Sequence, residues 1–140
     1  MSLTVALAVG ALLVAVIVGT LAHEWSHALA LHVAGISYRL EYLPTRQGGV
    51  IGTLASSPWA AVRPTLTGDE PALALRLAAL MPLSLTLPLV VLAAVGGLPT
   101  ADQPIALLAC LGWLACGLPS PQDFSVVFYA DRIATDSGRQ

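Results

Sequence analysis

Three long apolar stretches divide the chain, and polar residues gather at a few definite places. The first stretch runs from Leu3 to about Ala34 and is broken only by His23–His27 and His32. Its 32 positions make roughly 48 Å of helix, against roughly 30 Å of hydrocarbon in a bilayer. Gly35 stands where a helix would end. The second stretch covers about 71–97, with Thr67, Asp69 and Glu70 ahead of it as capping groups and with Pro82 and Pro88 inside it. Prolines are tolerated in membrane helices, where they predict a kink. The third covers about 104–130 and is interrupted by Leu118-Pro119-Ser120-Pro121-Gln122-Asp123. Between the first two stretches, Ser37–Leu43 alternates in character and Gly49–Leu54 is rich in β-branched residues. Pro44–Gly48 reads as the turn of a small β-hairpin over about 37–54.

Composition turns these stretches into spans. Of 140 residues, 56% are hydrophobic and 10% charged, whereas soluble domains carry roughly 25% charged residues. Most of the surface therefore has to face lipid. The expected fold is an all-α membrane protein, one domain over 1–140, with three transmembrane helices and a small cytoplasmic β-hairpin. The lipid bilayer is its first partner. A net charge of -2 argues against nucleic acid. No basic residue precedes the first stretch, which favours a retained span over a cleaved signal. Arg39, Arg46 and Arg63 lie in the long loop, Arg76 opens the second span, and Arg132 and Arg139 follow the third. By the positive-inside rule the long loop and C-terminus are cytoplasmic and the N-terminus is outside. Cys110 and Cys116 sit six apart in an apolar run, on opposite helix faces, and should not pair.

Chemistry concentrates in His23-Glu24-Trp25-Ser26-His27, which fits His-Glu-x-x-His. Histidines at i and i+4 face one side of a helix and can share a zinc ion. The intervening Glu24 can act as general base on a water held by that ion. Three ionisable residues inside a span are costly and point to function. A catalytic zinc site wants a third protein ligand. Asp102 falls on the loop at the opposite side, while Glu41, Asp69, Asp131 and Asp136 read as solvated charges. Asp123 differs, because it sits at a proline break in an apolar region, where irregular backbone must line a buried or wet cavity. Asp123 is thus the favoured third ligand, a helix-capping role is its plainer reading, and Glu70 is the reserve. His32 is about half a turn from the His23 face and is left out. Trp25 and Trp59 read as interfacial anchors or cavity lining, and Trp113 as packing.

In these motifs the chain resembles the site-2 protease family of intramembrane zinc metalloproteases. The resemblance covers about 15–132. It implies zinc held by His23, His27 and Asp123, with Glu24 as catalytic base. It further implies hydrolysis of a peptide bond in or beside a membrane-spanning protein substrate; the hairpin then either grips the substrate by a strand edge, with 49–54 the better candidate, or only plugs the cavity. The chain departs from the family pattern at Phe124, where glycine is usual, and at Ala115, where asparagine is usual. Ser120 or Gln122 would then have to supply the missing donor. Two other readings stand beside this one: a different membrane zincin with Glu70 as third ligand, and a zinc-binding membrane protein without turnover.

Overall fold

The computed structural model describes residues 2–42, 60–66 and 70–137. In chain order the elements are α1 (Leu3–Val33), β1 (Tyr38–Tyr42), β2 (Ala60–Pro64), α2 (Ala72–Leu80), a 3-10 segment (Met81–Thr86), α3 (Leu87–Ala94), α4 (Pro104–Gly117) and α5 (Pro121–Ser137). Among the described residues, three continuous helical stretches are long and apolar enough to cross a membrane: Leu3–Val33, Ala72–Ala94 and Pro104–Ile133. Their large apolar side chains point outward, as at Val14, Val91 and Phe128. Apolar surface of this extent marks contact with lipid or a partner, and stretches of this length suit lipid. The chain is a multi-pass membrane protein built of helices, with a small two-stranded sheet.

The residues pack as two compact units, and α1 contributes to both. One unit comprises 1–23 and 82–120. Here α1 and α4 approach closely through small residues. A Cβ on Gly112 would meet the Leu12 carbonyl at 3.0 Å, and one on Gly19 would meet the Cys116 side chain at 2.8 Å. Close backbone approach is the usual means of packing helices in lipid, where burying apolar surface gives no advantage. Trp113 packs as expected and donates its indole N–H to the Leu85 carbonyl at 2.8 Å. Cys110 and Cys116 are both free thiols. On the loop ahead of α4, the Thr100 hydroxyl donates to the Asp102 carboxylate and holds it below the usual carboxylate range.

The other unit comprises 24–81 and 121–140. Its core joins Leu31, Ile36, Leu75, Ala78 and Ala130. Gly35 closes α1 with φ of 71°, a left-handed conformation. The Gly35 N–H donates to the His32 carbonyl and the Ile36 N–H to the Leu31 carbonyl. This is a Schellman cap, and its accompanying apolar contact is the buried pair Leu31 and Ile36. Gly35→Ala forces a Cβ into that conformation at about 1–2 kcal/mol. A melt in detergent should fall by several degrees, and an unchanged midpoint would count against the cap's role.

The second span is not simply kinked at its prolines. Pro82 has no N–H for the Ala78 carbonyl, and the helix passes into a 3-10 segment before α3 starts with Pro88 near its N-terminus. Asp131 is exposed, as expected of a solvated charge, and is also ion-paired. Arg76 donates to it at 2.5 Å and gives its Nε–H to the Val127 carbonyl at 3.0 Å. One guanidinium thereby ties α2 to a full turn of α5.

The hairpin differs from the expected one. Tyr38–Tyr42 is a strand, but it pairs antiparallel with Ala60–Pro64, in register Leu40 with Val62. The strand expected at 49–54 and the turn at 44–48 lie outside the described residues, as does Trp59. Thr65 N–H donates to the Ser37 carbonyl, so 37 and 65 face each other as a hydrogen-bonded pair. Pairs alternate along an antiparallel ladder. Arg39 with Arg63 is then also hydrogen-bonded, and the Leu40 with Val62 pair is not. The Val62 N–H consequently points away from β1. Pro64, which has no N–H, occupies another outward-facing position, where a proline removes nothing from the ladder.

Candidate metal centre

The motif lies wholly within α1 and needs no turn or distortion to form. His23 and His27, four residues apart, stand one above the other on the helix face. Both are about nine-tenths buried. His23 Nδ1 is 2.7 Å from the Cys116 carbonyl oxygen, and His27 Nδ1 is 2.7 Å from that of Ala78. A carbonyl only accepts, so in each ring Nδ1 carries the proton and donates it. In a neutral ring that leaves the lone pair on Nε2, the state required of an imidazole ligand.

The two carbonyls are available because helices stop beside them. Pro82 stands at the position whose N–H would bond the Ala78 carbonyl in a continuing helix, and only the shorter bond from the Met81 N–H remains. Cys116 lies in the last turn of α4, whose carbonyls lack helical donors, since Leu118 is already extended. Proline breaks therefore supply the acceptors that fix both rings. These carbonyls have no signature of their own in the sequence. The only visible sign of them is the pair of prolines, Pro82 and Pro119.

Asp123 arrives in the first turn of α5, directly after the break. Its Oδ1 is 3.1 Å from His27 Nε2. The expected third ligand is thus brought to the histidines, inside the helix rather than ahead of it as a cap. His23, His27 and Asp123 each offer one ligand atom, and these atoms lie within 4.8 Å of one another. Glu70, the reserve candidate, is not in that group. His32 is exposed at the end of α1, and Trp25 is 62% exposed beside the motif.

The donor set tests the metal directly. With Nδ1–H committed to a carbonyl, neutral His27 presents a lone pair to the lone pairs of a carboxylate. Two acceptors converge in a mostly buried place, and only a proton or a cation between them makes the contact favourable. Two imidazoles and one carboxylate suit zinc, and three protein ligands leave a coordination position open. The group can hold a metal ion.

Glu24 lies next to His23 in the chain and is half-buried. Its Oε2 accepts the Val62 N–H at 3.0 Å. That partner was not anticipated, because a backbone amide on a strand of ordinary composition leaves no mark in a sequence. Phe124 is 46% exposed and Ala115 is exposed. Comparison with protein-family models, curated proteins and solved structures finds no match.

Proposed function

We propose that this protein is a zinc-dependent intramembrane endopeptidase of the site-2 protease kind, acting on a peptide bond in or beside a membrane-spanning substrate. The observation that carries the reading is the convergence of His23, His27 and Asp123, with both imidazoles turned by carbonyls into the ligand tautomer. Their setting in apolar spans adds weight, since buried ionisable groups in a membrane are expensive to keep without a use.

When bound, zinc would lower the pKa of a water towards 7 and polarise the scissile carbonyl. The chain's own residues do the rest. His23 and His27 offer Nε2, and the Cys116 and Ala78 carbonyls keep each ring from turning. Asp123 contributes negative charge that balances the ion. Glu24 takes a proton from the attacking water and can return it to the departing amine, the two-way duty of a general acid–base residue. An extended substrate segment could be gripped by a strand edge. Arg39, Arg46, Arg63, Arg132 and Arg139 support a cytoplasmic long loop and C-terminus, with the N-terminus outside.

Metal analysis of the detergent-purified protein tests this reading together with cleavage of a transmembrane peptide. About one zinc per chain is expected, with cleavage lost on chelation and restored by added zinc. Cleavage that persists in the metal-free protein, or a chain that takes up no zinc, would overturn it.

A further inference from the structure

The Glu24 carboxylate does not project from α1 alone: an amide of the sheet holds it. We propose that the backbone N–H of Val62 is a positioning group for Glu24, which makes β2 part of the hydrolytic machinery rather than a cover over it. The inference rests on the protease reading.

The ladder geometry gives the reason. Val62 belongs to a non-hydrogen-bonded pair, so its N–H is spare as far as β1 is concerned. It is spent on Glu24 Oε2 at 3.0 Å instead. A glutamate has three side-chain torsions to settle, and the helix backbone narrows only the first. A charge-assisted bond from a main-chain donor restricts the rest. A carboxylate has about four lone-pair sites, so one amide can aim the group without exhausting its ability to take a proton. Arg63, the next residue, is the one that bonds Arg39 across the ladder and pairs with Glu41 at 3.2 Å. The strand is thus anchored to β1 at one residue and presents its donor to Glu24 at the adjacent one.

The substitution that removes only this donor is Val62→Pro. At an outward-facing position a proline deletes no ladder bond, and Pro64 already occupies such a position in the same strand. Val62→Ala trims the side chain and keeps the amide, and so serves as the control. In zinc-loaded protein, Val62→Pro should lower kcat roughly tenfold relative to Val62→Ala, with KM and zinc content little changed. A merely structural strand would instead alter KM, zinc content or folding along with kcat. A second measurement needs no turnover. In protein labelled with 15N-valine, the Val62 amide resonance is the one absent from Val62→Pro. It should shift and exchange faster with solvent in Glu24→Ala. Equal kcat in the proline and alanine variants, or an amide resonance indifferent to Glu24→Ala, would overturn the proposal. If the wild type binds zinc and cleaves nothing, the protease reading fails, and the resonance experiment still decides whether the amide holds the carboxylate.

Discussion

Glu24→Gln should bring cleavage down by roughly 10²–10⁴-fold while leaving the metal in place. Glutamine has the shape of glutamate and keeps a carbonyl oxygen, so it can still accept the Val62 N–H. It cannot take a proton at neutral pH. The substitution keeps His23, His27 and Asp123, and zinc per chain should match the wild type. The pairing of the two results gives the test its force. A variant that loses zinc as well as activity would place Glu24 among the ligands or make it necessary for folding. A variant that keeps full activity would remove general-base catalysis by Glu24 from the mechanism.

Replacing Asp123 should have the opposite signature. Asp123→Ala leaves two imidazoles and no balancing charge, and His27 Nε2 loses the oxygen now 3.1 Å away. Zinc affinity should fall by at least ~100-fold, since losing even a group that only supports a ligand costs 10–100-fold. Activity should fall with occupancy and recover in part at high zinc. Asp123 also lies in the first turn of α5, where its charge favours the helix. That contribution is about 0.3–1 kcal/mol, too small to explain a hundredfold loss of metal. Asp123→Asn separates the effects further, because it keeps the size of the side chain and loses the charge. Glu70→Ala provides the contrast and should retain zinc and turnover. If Glu70→Ala loses zinc and Asp123→Ala does not, the third ligand has been assigned to the wrong residue.

The parts that were legible in the sequence share a physical origin. His23 and His27 announce themselves because helical periodicity alone puts i and i+4 on one face. Asp123 stood out because a charge beside Pro119 and Pro121 is anomalous in apolar surroundings. Gly35 was readable as a cap because few other residues tolerate a positive φ. The second strand was not legible. Ala60-Ala61-Val62-Arg63-Pro64 has little β character and contains a proline, and its pairing with Tyr38–Tyr42 is decided by neighbours distant in the chain. Local propensity pointed to 49–54, which carries more β-branched residues. Asp131 is the exposed charge it was expected to be, but its partner could not be read from the sequence. Arg76, which pairs with it, lies 55 residues earlier in the chain. The groups that fix the histidines are backbone carbonyls, identical in every residue, and only the prolines that free them could have been noticed.

Those freed carbonyls have a bearing on biogenesis. Both histidines lie on the first span, yet the oxygen that fixes His27 comes 51 residues later than the ring it serves, and the one for His23 comes 93 later. At roughly 5–20 residues per second, a ribosome needs about 5–20 s to add those 93 residues. Until residue 78 is made neither ring has its carbonyl, and from then until residue 116 only His27 does. The ligand set is completed only when the third span arrives. Synthesis from the N-terminus thereby delays assembly of the candidate metal group until the later spans have been made.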